Sequence, residues 1–180
     1  MNIFYLDHSP VVSAQAMTDK HVVKMILESA QLLSTAHRVL DGQTMTTLSK
    51  NGRRLTRYSH PTLDNVLYKS THINHPSGVW LRESKANYLW LFEHFIALCN
   101  EYTSRYNKIH ASYTKLAHVL SSPPLNIADS SFTPIKLAMP VPYHLPNEVE
   151  AYRMYYEAEK LFTSGDIERY QKILFQGATS

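Results

Sequence analysis

The sequence predicts an all-α protein, a single compact helical bundle with long loops and a short extended N-terminal segment. Two long stretches, residues 19–39 and 75–106, repeat their apolar residues at helical spacing. Glycine is scarce, 5 in 180 residues, which argues against a turn-dense β-sandwich. Prolines gather in one interval, where Pro123, Pro124, Pro134, Pro140, Pro142 and Pro146 interrupt any regular element. At this length the chain is expected to form one domain over residues 1–180.

Each element has its own local reason. Asn2 to Leu6 is short, apolar and extended in character. Ser9-Pro10 reads as an N-cap with proline at the first helical position, opening a short helix to about Met17. Thr18 or Asp19 starts the first long helix, which ends near Asp41-Gly42. Residues 43–74 are polar and low in regular pattern, and hold the densest basic cluster, Lys50 to Arg57, around a turn signal at Asn51-Gly52 that predicts a basic hairpin or loop. His75-Pro76 begins a second long helix, expected to continue to about Tyr106 with Leu81, Tyr88, Phe95 and Tyr102 as its core line. A third helix spans about 111–120 and is followed by the Pro-rich loop 121–146. A C-terminal aromatic helical segment fills 147–180, capped by Asn147, with a weaker amphipathic stretch from Asp166 to Phe175.

Composition excludes several classes. Neither GxGxxG nor GxxxxGKS occurs, which removes the common nucleotide-binding loops. A formal charge of +3 with 10 His permits a nucleic-acid partner without demanding one. The single cysteine, Cys99, sits in an apolar run and reads as a core residue, so a reducing compartment is expected. The chain shows neither a secretory leader pattern nor a membrane span, and no membrane partner is expected.

The most informative stretch is the first long helix. At about 100° per residue it places His21, Lys24, Glu28, Gln31 and Thr35 on one stripe, while most of the remaining circumference is apolar. A surface helix shows the reverse proportion. The stripe is therefore expected to face a cleft, with the rest of the helix buried. An acid, a base and an amine on successive turns suit proton-transfer chemistry; the plainer alternative is an ordinary Lys24–Glu28 surface ion pair. Elsewhere, Arg53, Arg54 and Arg57 suit phosphate contacts. Tyr152, Arg153 and Tyr155, with Tyr156, either stack on bases or form a buried helix face. His72 and His75, with His60 or His94, make only a weak metal pair, so no metal and no cofactor are expected. Trp80 and Trp90 read as core, and Asp7-His8 lies close in sequence to the N-terminal amine.

Several of these blocks, in order, resemble the bacteriophage endonuclease V family of pyrimidine-dimer DNA glycosylase/AP lyases. Asp19-Lys20-His21 followed by Glu28 is similar to that family's first active-site helix. Asn74 to Trp80, leading through Tyr88 to Cys99-Asn100-Glu101-Tyr102, is similar to its second, and Ala151 to Tyr156 to its terminal aromatic-basic segment. The resemblance implies that Glu28 is the catalytic carboxylate and that an α-amine opens the glycosidic bond through an imine. It implies double-stranded DNA as partner, contacted by His21, Gln31, Arg53, Arg54, Arg57, His75, Tyr152, Arg153 and Tyr155, in the cytoplasm of a bacterial or phage-infected cell. An α-amine, with a reference pKa of about 8, suits imine formation better than a lysine at about 10.4. Here Met1 precedes Asn2, a residue too large for efficient Met removal, so the nucleophile is expected at Met1, with Lys24 as second candidate. Leu27 and Gln31 stand where the family carries arginines, which opens the substrate to damaged or modified pyrimidines other than the dimer. Two other readings remain: an inactive nucleic-acid-binding or host-interaction protein of the same fold, and an enzyme of modified-nucleotide metabolism.

Overall fold

The computed structural model describes residues 1–176. Two short helices, two long ones and three more follow in chain order, interrupted by one β-hairpin. They are α1 (Pro10–Gln15), α2 (Asp19–Asp41), β1 (Gln43–Leu48), β2 (Arg54–Ser59), α3 (Pro76–Leu81), α4 (Lys85–Tyr106), α5 (Ala111–Leu120), α6 (Glu148–Glu159) and α7 (Ser164–Gln171). The protein is mostly helical, and the all-α expectation is corrected by the hairpin.

The caps anticipated from sequence form. Ser9 accepts from Val12 N–H ahead of Pro10, and Asn147 accepts from Glu150 N–H. Thr18 caps α2 by accepting from His21 N–H. The hairpin forms because Asn51-Gly52 can turn: Gly52 has φ +71, a left-handed conformation that suits glycine. Gly42 has a different task, since a Cβ there would stand 2.3 Å from the Arg38 carbonyl oxygen and 2.4 Å from that of Ser59. Only glycine lets β2 pass so close to the last turn of α2.

One other expectation changes. The helix expected over 75–106 is two helices. Ser84 is extended, with φ −153, caps α4 at Asn87 N–H, and leaves Lys85 N–H to donate to Ala128 O at 2.8 Å. The seven-residue apolar spacing ran through this break because Leu81 and Tyr88 both reach the core. The N-terminal segment is buried, as its apolarity suggested, but it pairs with no strand among the described residues. The C-terminal aromatic segment is helical over α6 and α7, and its last residues, 177–180, lie outside the described ones.

The core lies between α2 and α4, with α1, α5 and the N-terminal segment packed around them. Trp80, Tyr88, Phe95, Tyr152 and Tyr156 are fully buried, each contributing several kcal/mol on the order of 25 cal/mol per Å² of apolar surface removed from water. The Pro-rich loop is held to this core by side chains. Trp80 Nε1 donates to Thr133 O, Asn87 exchanges bonds with Thr133, and Asp41 accepts from the N–H groups of Leu125 and Asn126. Cys99 is buried, and burial pushes its thiol up to about 12. Among the described residues no helix is long and apolar enough to cross a membrane.

Two measurements test this packing. Gly42→Ala should lower the urea midpoint by the equivalent of about 2 kcal/mol, the usual cost of forcing atoms into a filled site; an unchanged midpoint would show that the hairpin can lift away. Burial also pushes His21, His37 and His94 each down to about 4. Between about pH 6.5 and 4 the unfolded chain therefore binds protons that the folded chain refuses, so stability falls as pH drops through that window. His94→Gln should reduce the slope by up to about 1.4 kcal/mol per pH unit, one proton's worth. An unaltered slope in denaturant titrations would place the acid sensitivity elsewhere.

Candidate active site around Glu28

A carboxylate on a helix as apolar as α2 needs donors, and Glu28 obtains them from two directions. The main-chain N–H of Asn2 donates to Oε2 at 3.2 Å, and the α-amino nitrogen of Met1 lies 3.9 Å from the same oxygen. Lys24, one turn earlier on α2, places Nζ 3.5 Å from Oε1. The two amines differ in how they are carried: Met1 is anchored by a side chain that is 2% exposed, whereas Lys24 holds its amine on a side chain that is 59% exposed.

The N-terminal amine reaches Glu28 on a tightly held tether. Asn2 is buried; its Oδ1 accepts from the N–H groups of Ile3 and Phe4 at 2.7 and 2.9 Å, and its Nδ2 donates to Ala138 O at 2.7 Å. The bond to the residue two positions on is the Asx-turn habit of asparagine. Phe4 takes a left-handed conformation, φ 54, which costs a non-glycine residue on the order of 1 kcal/mol. Ser13 holds that bend, donating to Phe4 O and accepting from Leu6 N–H, both at 3.1 Å. Arg153 closes the segment, donating to Leu6 O at 2.7 Å and pairing with Asp7 at 3.0 Å.

His75 stands at the same place. It caps α3 by accepting Ser77 N–H at Nδ1, which leaves the proton of the neutral ring on Nε2. Its pKa is lowered by burial first and by the N-terminal amine second, while a hydrogen bond to the Met1 backbone and the charge of Glu28 act the other way. Met1, Glu28, Lys24 and His75 are thus brought together. Gln31 is half-exposed one turn beyond Glu28.

Other candidates are placed differently. His21 stacks on Phe4 at 4.6 Å, and its Nδ1 lies 2.7 Å from the Tyr156 hydroxyl, which also accepts from Thr18 N–H. Burial keeps the His21 ring neutral at physiological pH. Tyr152 is fully buried; its hydroxyl donates to Lys136 O and accepts from Ala138 N–H, so it supports the loop that Asn2 grips. Tyr155 is half-exposed, with Tyr143 and the Lys160 ammonium against its ring. Arg53, Arg54 and Arg57 are exposed on the hairpin, away from Glu28 along α2. The face expected to line a cleft is wider than its polar stripe, because Val23 and Leu27 are 41% and 42% exposed.

Sequence reasoning missed Asn2 as the anchor of the tether, although an asparagine ahead of an apolar run is a recognised turn former. It also missed the grouping of His37, Asp41 and His60, whose potential ligand atoms lie within 4.8 Å of one another. That grouping is poorly set to hold a metal, although His60 Nε2 is buried without a hydrogen-bond partner. His60 Nδ1 accepts from the N–H groups of Thr62 and Leu63, so its Nε2 carries a hydrogen in the neutral ring; His37 Nε2 is engaged with Tyr88.

Comparison with known proteins bears on this arrangement. No curated protein and no solved structure gives a significant match. A family model described as pyrimidine dimer DNA glycosylase matches residues 1–114, a span that contains Met1, Asn2, Lys24, Glu28, His75 and the whole hairpin. The chain belongs to the pyrimidine dimer DNA glycosylase family.

Proposed function

We propose that this DNA glycosylase also carries AP-lyase activity, acting on a damaged or modified pyrimidine in double-stranded DNA through an amine–imine intermediate. The observation that supports this most is the placement of the α-amino nitrogen of Met1 beside Glu28 on a buried, multiply bonded tether. Such a tether is a costly way to satisfy one carboxylate, and a direct way to present an amine to it.

In the proposed reaction the amine nitrogen bonds to C1′ as the bond from C1′ to the base breaks. The departing base takes up a proton, the nitrogen gives one up, and opening of the sugar ring, with a proton passed to O4′ as the C1′–O4′ bond breaks, leaves an iminium at C1′. Removal of a proton from C2′ then expels the 3′ phosphate and cleaves the strand. Glu28 is the group placed to move these protons and to stabilise the cationic sugar. Lys24 is the weaker nucleophile candidate, because its exposed ammonium keeps its hydration. His75 orients the Met1 end. Should Met1 be removed from the mature chain, the amine of Asn2 would occupy the 3.2 Å position on Glu28.

Arg53 and Arg54 at the hairpin tip, with Arg57 behind them, are assigned to the phosphate backbone, and Gln31, Val23 and Leu27 to the surface facing the target nucleotide. His21, Tyr152 and Arg153 serve DNA indirectly, by holding the N-terminal segment and α2 in place. The exposed apolar Leu27 beside Glu28 favours contact with a base or sugar over a phosphate, which suits a modified pyrimidine as well as the dimer.

Borohydride trapping on duplexes carrying an abasic site, a thymine dimer or a modified pyrimidine tests the reading. A covalent adduct mapping to the N-terminal residue is expected, and Glu28→Gln should slow its formation at least about a hundredfold while duplex binding persists. An adduct at Lys24 would reassign the nucleophile, and no adduct with any duplex would remove the lyase step. Separately, Arg53→Ala/Arg54→Ala should weaken binding to all duplexes alike and reduce the salt slope by about 1.8; an unchanged slope would place the DNA elsewhere.

A further inference from the structure

In an antiparallel pair directly opposed residues share a face, so Met45 and Arg57 lie on one side of the hairpin and Leu48 and Arg54 on the other. The Met45–Arg57 face roofs an open groove of about 640 Å³, walled opposite by Tyr68, Lys69 and Ser70 and by Lys115 of α5. Arg38, at the base of this groove, stands ten residues after Glu28 on α2, about 15 Å along the helix. The groove is therefore distinct from the carboxylate site.

Its charge is decided by which cations are already engaged. The Arg38 guanidinium is spent on the carbonyls of Tyr58, Asp64, Leu67 and Tyr68 and on the Asp64 carboxylate. The His60 N–H first, and the Arg38 pairing second, hold Asp64 below the usual carboxylate range, so the acid at the groove is already engaged. Arg57, Lys69 and Lys115 are exposed and pair with no carboxylate among the described residues. Lys115 hangs 4.8 Å from the Tyr68 ring centroid. Ser70 is nine-tenths buried, and its hydroxyl has no hydrogen-bond partner.

Three free cations around an aromatic ring and a methionine are the elements of a single-strand site, in which cations follow the phosphates and rings take the bases. A duplex is too wide to enter a space of this size, whereas one or two unstacked nucleotides fit within the range of ordinary ligand clefts, about 300–1,000 Å³. We propose that the groove under the hairpin binds a short single-stranded stretch of DNA, with Arg57, Lys69 and Lys115 on its phosphates and Tyr68 and Met45 against its bases. This rests on the reading that the chain acts on DNA, and adds to it a second contact about 15 Å from Glu28 along α2.

Fluorescence anisotropy with a short labelled oligothymidylate, titrated with salt, tests the assignment. Lys69→Ala/Lys115→Ala should weaken binding roughly tenfold at about 0.1 M salt and lower the salt slope by about 1.4, two phosphates' worth for a single strand. Lys69→Arg/Lys115→Arg should bind close to the unaltered chain. Unchanged affinity and slope would overturn the proposal, as would a loss confined to duplex DNA. Thymidine monophosphate competing as well as the oligonucleotide, at equal nucleotide concentration, would assign the groove to a free nucleotide and overturn the strand. These outcomes are read from binding alone, so a failure of imine trapping by the unaltered chain would count against the Glu28 chemistry and leave this result standing.

Discussion

The bond from the Asn2 main-chain N–H to Glu28 organises more of this molecule than its single hydrogen bond suggests. A half-buried carboxylate must be partnered, since an unpaired buried charge costs several kcal/mol. By taking its partner from the start of the chain, α2 draws the N-terminal residues inward. Everything between Met1 and Asp7 then has to be accommodated. Asn2 satisfies the two following N–H groups, Phe4 accepts a strained backbone, Ser13 bridges that bend, and Arg153 caps its exit. The C-terminal helix α6 is bound to the same requirement, because Tyr152 steadies the loop whose Ala138 carbonyl receives the Asn2 amide.

Glu28 also depends on α2 being fixed at both ends. At the start, Thr18 and Tyr156 cap the helix, and Asp19 is clasped by Arg105 from α4 and Arg169 from α7, each at 3.0 Å. At the end, Arg38 gathers the Tyr58 carbonyl of β2 and three carbonyls of the segment after the hairpin, and Gly42 admits β2 against the last turn. The helix is a beam clamped at both ends by polar groups, with its polar stripe between the clamps. In both clamps the cation is largely buried, with the Arg38 and Arg105 side chains only 5% and 9% exposed, while the carboxylates of Asp64 and Asp19 stand 52% and 51% exposed.

What was legible in the sequence follows from what is local. Helix caps at Ser9, Thr18 and Asn147 and the turn at Asn51-Gly52 depend on neighbours a few residues apart, and each took the form its chemistry suggests. The break at Ser84 was hidden because its decisive partners, Ala128 and the Pro-rich loop, lie some forty residues away in the chain. The tether was hidden for the same reason: nothing near Asn2 announces Glu28 or Ala138. Val23 and Leu27 read as core by type, yet they stand in the open beside the carboxylate, where apolar surface suits a ligand better than solvent.

The pairing of an α-amine with a carboxylate also orders the proposed chemistry. A nucleophilic amine must lose its proton before it attacks, and a leaving base must gain one. Glu28 lies within 3.9 Å of the Met1 nitrogen and can receive the first proton, which frees the amine and turns the carboxylate into the acid the base requires. The same proton serves both needs, and after transfer the carboxylate is again the base for C2′. An exposed lysine gains nothing comparable, because water competes for its proton and its hydration must be stripped before attack. The anchored Met1 end and the exposed Lys24 side chain thus place two amines in different settings around one carboxylate.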